Sequence, residues 1–262
     1  SDIDDGVLPI IQVEEAVVQE YVRHGHWRHK CVTLFVLQDM QPLARQFQSS
    51  SDEFPGRADV LDGRPVVNVY DLAEPAACNI FVNLEVMERQ GYWDDPVAVR
   101  GLLAHEHAHP LAEGPTVQAS RELRVVTPTE RTGSTGSEET NGTWMAGVKQ
   151  DAIQDLLNRL AHKLCLYAPR EVFANETAIR SGFADALLHL NRRNVTNALS
   201  SLAARKDIET HLQHGVDKGD MTLEAKGALL LVGDLQGYID LALEVAPFYR
   251  AGEHAAAQEL EK

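Results

Sequence analysis

Residues 105–109 read His-Glu-His-Ala-His, a match to His-Glu-x-x-His, and no other stretch of the chain constrains the fold as strongly. The pattern has a purpose only on a helix. Two histidines four apart then lie on nearly the same face, one turn above the other. The imidazoles of His105 and His109 can reach one metal ion, and the Glu106 carboxylate stands where it can touch a metal-bound water. Two nitrogen ligands and a general base on one helix are the layout of a zinc hydrolase.

The flanking residues supply such a helix. Asp95 is a suitable N-cap and Pro96 suits the first helical position. Val97, Leu102 and Leu103 offer apolar contacts, while Ala104 and Ala108 leave room around the ligands. Pro110 follows His109 directly. Proline disfavours helical geometry in the residue before it and clashes with the carbonyl four residues back, here that of Glu106. The helix is therefore expected over about 96–109, ending or kinking at the second histidine. His107 points away from the ligand face, so packing or a supporting hydrogen bond is its expected role.

Upstream, apolar and β-branched runs predict a small sheet. Residues 31–38 read as a buried strand, 66–70 as a second, and 79–84 as a third just before the motif. The third is expected at the cleft edge, where a peptide can add as an extra strand. An amphipathic helix is predicted over 12–24 and a loop or hairpin turn over 49–64. His24, His26 and His29 are expected at a solvated helix end, where histidine suits the dipole.

A catalytic zinc takes three protein ligands and keeps one open position. Ala112 and Pro115 stand where a metzincin has glycine and histidine, which excludes that class. The Asn-Glu helix of a thermolysin-type site would fall in 127–143, a stretch rich in Thr, Gly, Ser and Glu that reads as loop. The better candidate region is 169–190, where apolar residues recur at roughly helical spacing. Glu171 and Glu176 both compete there; being five apart, they point in different directions.

Glu171-Val-Phe-Ala-Asn175 followed by Ala178 resembles the Glu-x-x-Ala-Asp/Asn-x-x-Ala signature of the glutamate zincins. Glu171 lies 62 residues after His109, a separation more similar to the HtpX-type arrangement than to the ImmA/IrrE type. The resemblance covers about residues 78–110 and 169–180. It implies zinc held by His105, His109 and Glu171, with Glu106 as the base and Asn175 in support of the site. Asn175 stands where HtpX-type enzymes normally have Asp, and no membrane span is read in the chain.

The expected chemistry is hydrolysis of peptide bonds by a zinc metalloendopeptidase. Tyr167, Arg180, His189 and Tyr238 are candidate donors to the developing oxyanion. The alternative is a non-catalytic zinc-binding regulatory or interaction protein on the same scaffold. A formal net charge of −15 argues against nucleic acid as a partner, because phosphate contacts need a basic surface. No apolar run approaches the length of a membrane span, with Ala228 to Val232 the strongest. Cys31, Cys78 and Cys165 show no Cys-x-x-Cys spacing and are read as three buried thiols in a reducing, cytoplasmic setting, with one disulfide as the alternative.

The expected fold is α+β, predominantly helical and zincin-like. It comprises a zincin subdomain over 1–110 with a small sheet and edge strand, an irregular insertion over 111–147, and a helical subdomain over 148–262 carrying the third ligand. Within the last, helices are predicted over 148–165, 169–190, about 193–213 and about 221–247, with a polar helical tail over 252–262.

Overall fold

Ile10, Glu14, Val17 and Tyr21 fall at spacings of four, three and four, and all four are buried along one side of helix α1 (Leu8–Arg23). That stripe packs α1 onto the long helix bearing the histidine motif. The computed structural model describes residues 7–50, 63–70, 77–122, 163–200 and 202–262.

Among the described residues, three strands form one mixed sheet, β1 (Cys31–Leu37), β2 (Val66–Tyr70) and β3 (Ala77–Asn83), in the order β1-β3-β2. β1 runs parallel to β3, and β2 antiparallel to it. β3 is thus the central strand, with Cys78, Ile80 and Val82 buried at alternate positions. This corrects the expectation that the strand before the motif lies at an edge: both of its edges are already paired. The edges are β1 and β2. β1 was expected to be buried, yet none of its residues is fully so, because it closes the sheet on one side.

Helix α2 (Gln41–Ser50) follows β1, and Met40 and Ala44 build a minor core there with Leu37, Val67 and Phe81. The loop expected over 49–64 begins inside the end of this helix, and 51–62 lie outside the described residues. Asn83 caps the short helix α3 (Leu84–Arg89), its side chain accepting from the Val86 amide.

Helix α4 (Pro96–Glu122) carries the motif and is the hub of the molecule. Asp95 caps it as expected, its Oδ1 accepting from the Ala98 amide at 3.1 Å. The expected end at His109 is not found: α4 runs on through Pro110 to Glu122. The reason lies in one carbonyl. In a regular helix the amide of residue 110 donates to the carbonyl of residue 106, and proline has no such amide. Here Asn68 Nδ2 of β2 donates to the Glu106 carbonyl instead, at 3.0 Å. A side chain from the sheet replaces the missing hydrogen bond. The boundary expected at 110 therefore falls inside a helix, and the first part of the expected irregular insertion, 111–122, is helical. The rest of that insertion, and the helix predicted over 148–165 up to residue 162, lie outside the described residues.

A π-helical turn (Lys163–Tyr167) leads into α5 (Ala168–Ala178), a second π-helical turn (Ile179–Phe183) and α6 (Ala184–Ser200). Gly182 breaks the helix with φ of 92°, and a Cβ there would approach Glu20 of α1 and His24 at its C-cap to 3.0 Å. Gly101 of α4 lies so close to α6 that a Cβ would stand 2.9 Å from the Ala186 carbonyl. The residues of the helix predicted over 193–213 are helical in α6 and in α7 (Leu202–Lys218), with residue 201 outside the described residues. They are followed by α8 (Leu223–Ala251), capped by the Thr222 side chain, and α9 (His254–Leu260). The tail read as polar buries Ala257 and Leu260.

The fold is mostly helical with a small three-stranded mixed sheet. Among the described residues, no helix is long and apolar enough to cross a membrane. All three cysteines are free, but only Cys78 is buried; Cys31 is exposed and Cys165 intermediate. The reading of three buried thiols is corrected accordingly, as Cys31 starts an edge strand.

Candidate metal centre

His105 and His109 lie one turn apart on α4, and α5 crosses in front of them. α5 delivers Glu171 into the gap. Glu171 Oε2 lies 3.0 Å from His105 Nε2, and Oε1 lies 3.9 Å from His109 Nε2. The two imidazole Nε2 atoms face each other at 3.1 Å. All three residues offer a ligand atom within 4.8 Å of the others, so the group could hold a metal ion. Tetrahedral ligands at zinc distances of about 2.0–2.1 Å sit roughly 3.3 Å apart. The donor set fits that spacing with small adjustments. Glu171 Oε1 also supports the fit, being buried without a hydrogen-bond partner among the described residues.

The competing carboxylate is elsewhere. Glu176 is bonded to Arg180 and Arg250 on the outer side of α5. Asn175, one turn beyond Glu171, places Oδ1 2.7 Å from His105 Nδ1, where the amide oxygen accepts from the Nδ1–H tautomer. With Asn175 Oδ1 as acceptor, Nδ1 carries the proton and Nε2 is left as the ligand atom. His109 lacks an equivalent: its Nδ1 is buried with no hydrogen-bond partner among the described residues.

Glu106 is buried beside this group, its Oε1 4.0 Å from His105 Nε2. Its other oxygen, Oε2, accepts from the Asn68 backbone amide at 3.0 Å. Asn68 therefore grips Glu106 twice, at the carboxylate and at the carbonyl. This aims Oε1 at the histidines. Because that amide turns away from β3 towards the motif, β2 is the sheet edge beside the centre.

The electrostatics follow from burial and proximity. Burial opposes protonation of His105, but the hydrogen bond and charge of Glu171, with Glu106 adding, raise it to about 9. Burial holds His109 well below the ordinary histidine range. Burial alone would raise Glu171; His109, His105 and Arg64 outweigh it and hold the carboxyl below the usual carboxylate range. Glu106 goes the other way: burial pushes its carboxyl up, and His105 and Arg64 recover only part of that. Two carboxylates in one site are thus driven apart, one to stay ionised and one to take up a proton more readily.

Of the four candidate oxyanion donors, the structure brings only Tyr167 to the centre. Its hydroxyl accepts from Arg64 Nη2, and that guanidinium stands 3.8 Å from Glu171 Oε1. Burial, with Glu171 nearby, pushes the Tyr167 hydroxyl up to about 12, so it stays protonated at neutral pH. The other three are corrected. Arg180 is tied to Glu176 and the Arg250 carbonyl. His189 bonds Asp95 at the far end of α4. Tyr238 is 70% exposed on α8. Helical periodicity places such residues on elements but not on faces turned to a distant motif.

Arg64 and Asn68 were not singled out in the sequence. Asn68 left a trace, as the one polar residue in Val-Val-Asn-Val-Tyr. Arg64 left none, since it precedes β2 in a segment without periodicity.

His107 turns to the other side of α4, as expected, and meets Glu14 at 2.6 Å. His29 departs from expectation: it is buried against Trp27 rather than solvated at a helix end, whereas His24 is exposed. No family model matches this chain, and neither does any curated protein or solved structure.

Proposed function

We propose that the chain is a zinc-dependent metallopeptidase of the glutamate-zincin type. The observation that carries this reading is the arrival of Glu171 from α5 at the two histidines of α4, with the Glu106 carboxylate alongside. His105, His109 and Glu171 would hold Zn2+. When bound there, zinc supplies a lowered pKa to a water and polarisation to the scissile carbonyl.

The remaining work belongs to the protein. Glu106 Oε1 takes a proton from the attacking water and later gives it to the leaving amine. Its burial raises its proton affinity towards that task. The Asn68 amide holds Oε2, so the carboxylate keeps one orientation through both transfers. Tyr167 accepts from Arg64 and so keeps its own O–H free to donate to the oxygen that gains charge. Among the described residues the sheet edge beside the motif is β2 rather than β3, and a peptide strand would add along it with the Asn68 amide already given to Glu106.

The group holds three protein ligands among the described residues, consistent with an open fourth position. A binding protein would have no use for a buried carboxylate gripped next to the first ligand. The test is a peptide-library digest with the zinc-loaded chain. Cleavage is expected, and Glu106→Gln is expected to reduce it by about 10²- to 10⁴-fold while zinc content stays unchanged. Undiminished cleavage in the variant, or none by the wild type, would refute the peptidase reading in favour of a non-catalytic zinc protein.

A further inference from the structure

Behind the motif, on the opposite side of α4, lies a second cluster of metal-ligating side chains. His107 of α4, Cys78 of β3 and His29 of the α1–β1 connection each offer a ligand atom, all within 4.8 Å of one another. All three are buried, none more than 5% exposed. Glu14 of α1, also buried, puts Oε1 2.6 Å from His107 Nε2. That bond commits Nε2 and leaves Nδ1 as the ring atom available to a ligand. His107 Nδ1 is buried with no hydrogen-bond partner among the described residues, as is Glu14 Oε2. A histidine bonded to a carboxylate through one nitrogen and to a metal through the other recurs in zinc proteins, where the carboxylate fixes the tautomer and raises ligand basicity.

We propose that His29, Cys78 and His107 form a buried site for a zinc-class divalent ion, separate from the His105–His109–Glu171 centre. Two imidazoles and one thiolate suit a borderline-soft ion and discriminate against magnesium or calcium, which take oxygen ligands. The Trp27 ring covers both histidines, with centroids 5.3 Å from each. The donors are enclosed by protein, and three protein ligands leave one position of a tetrahedral ion for a further donor. The ion would tie together the end of α1, the central strand and the rear of the motif helix. Glu14 and Trp27 also border a groove of about 920 Å³ between α1 and β1, which offers an approach for the ion. Burial, with Glu14 and Cys31 adding, pushes the Cys78 thiol up to about 12, so the metal-free site holds a neutral thiol. Loading therefore displaces a proton from Cys78 as the sulfur bonds the ion, with no change of oxidation state.

The test is titration of the chelator-stripped full chain with Co2+ alone, followed by absorption. Thiolate bonded to cobalt gives an intense near-ultraviolet charge-transfer band. The His105–His109–Glu171 centre holds no sulfur, so its own failure would change the cobalt count and leave the band. Wild type is expected to develop the band to saturation at one equivalent of this site. Cys78→Ser should abolish it, and Cys31→Ser and Cys165→Ser should leave it intact. If Cys78→Ser does not fold, His29→Gln serves in its place and should lose the band at one equivalent. A wild type without a thiolate band, or a band that survives Cys78→Ser or His29→Gln, overturns the proposal.

Discussion

The two sides of α4 carry the same residue type to different ends. On one side, His105 and His109 face Glu171, with Arg64 and Tyr167 close by. On the other, His107 faces Glu14, His29 and Cys78 among aromatic rings. The first group is rich in charge and includes a carboxylate held ionised. The second pairs its histidines with a thiol, and the Trp27 ring packs against both imidazoles. Helical geometry alone produces this division: residues four apart share a side, and the residue two from each, His107, turns away from it. One five-residue stretch thereby serves two environments, and what arrives from other elements decides what each does.

The sharpest way to separate the two sides is to remove the carboxylate of the first. Glu171→Ala should abolish metal binding by His105 and His109 and with it all peptide cleavage. Glu176→Ala should retain both, because Glu176 spends its charge on Arg180 and Arg250. The cobalt–thiolate band of the Cys78 site should be untouched by either change. Metal analysis and a cleavage assay on the two variants decide the matter; loss of metal in Glu176→Ala instead would reassign the third ligand.

A smaller effect is expected one layer out. Asn175 fixes the His105 ring, so Asn175→Ala should weaken metal binding at that centre about 10- to 100-fold. Asn175→Asp should restore most of it, since a carboxylate accepts the same Nδ1 proton. Competition with a chromophoric chelator reads both. Equal affinity in Asn175→Ala and wild type would mean that packing on α5 alone holds the ring.

Much of the first side is legible in the sequence, and little of the second is. His105, Glu106 and His109 declare themselves because a local motif carries a local geometry. Glu171 and Asn175 declare themselves through a second motif on a helix of readable period. The Glu14–His29–Cys78–His107 group comes from four separate segments, and no spacing joins them. Its assembly depends on how α1, the sheet and α4 pack. Sheet order was hidden for a similar reason: strand formers identify β1, β2 and β3, but only tertiary pairing puts the last of them in the middle. The helix end failed differently. The rule for proline was sound, and a residue 42 positions upstream of Pro110 overrode it by bonding the carbonyl that proline left open.

That override can be broken and repaired. Asn68→Val keeps the β2 backbone amide on the Glu106 carboxylate but removes the donor to the Glu106 carbonyl. A buried carbonyl left without a donor costs about 1–3 kcal/mol. Adding Pro110→Ala returns an amide to the helix and should recover part of that loss. A double-mutant cycle by urea denaturation measures the coupling, and strictly additive losses would show that Asn68 does not stand in for the missing amide.

The least effect is expected at the start of α4, far from both groups of ligands. Asp95 caps the helix through Oδ1, while Oδ2 meets His189 at 2.8 Å and Arg193 at 2.7 Å. Burial would raise its carboxyl, but the bonds from His189, the Ala98 amide and Arg193 outweigh that and lower it to about 2. A carboxyl depressed from 3.8 adds stability that is fully present above that value and fades as the pH falls through about 2. Asp95→Ala should therefore cost about 0.5–2 kcal/mol at neutral pH, and the gap to wild type should narrow on acidification. Asp95→Asn keeps an acceptor for the Ala98 amide and should recover the pH-independent part only. Urea midpoints for the three proteins across that range measure it. A gap that stays constant with pH would assign the whole effect to the cap and none to the ionic contacts with α6.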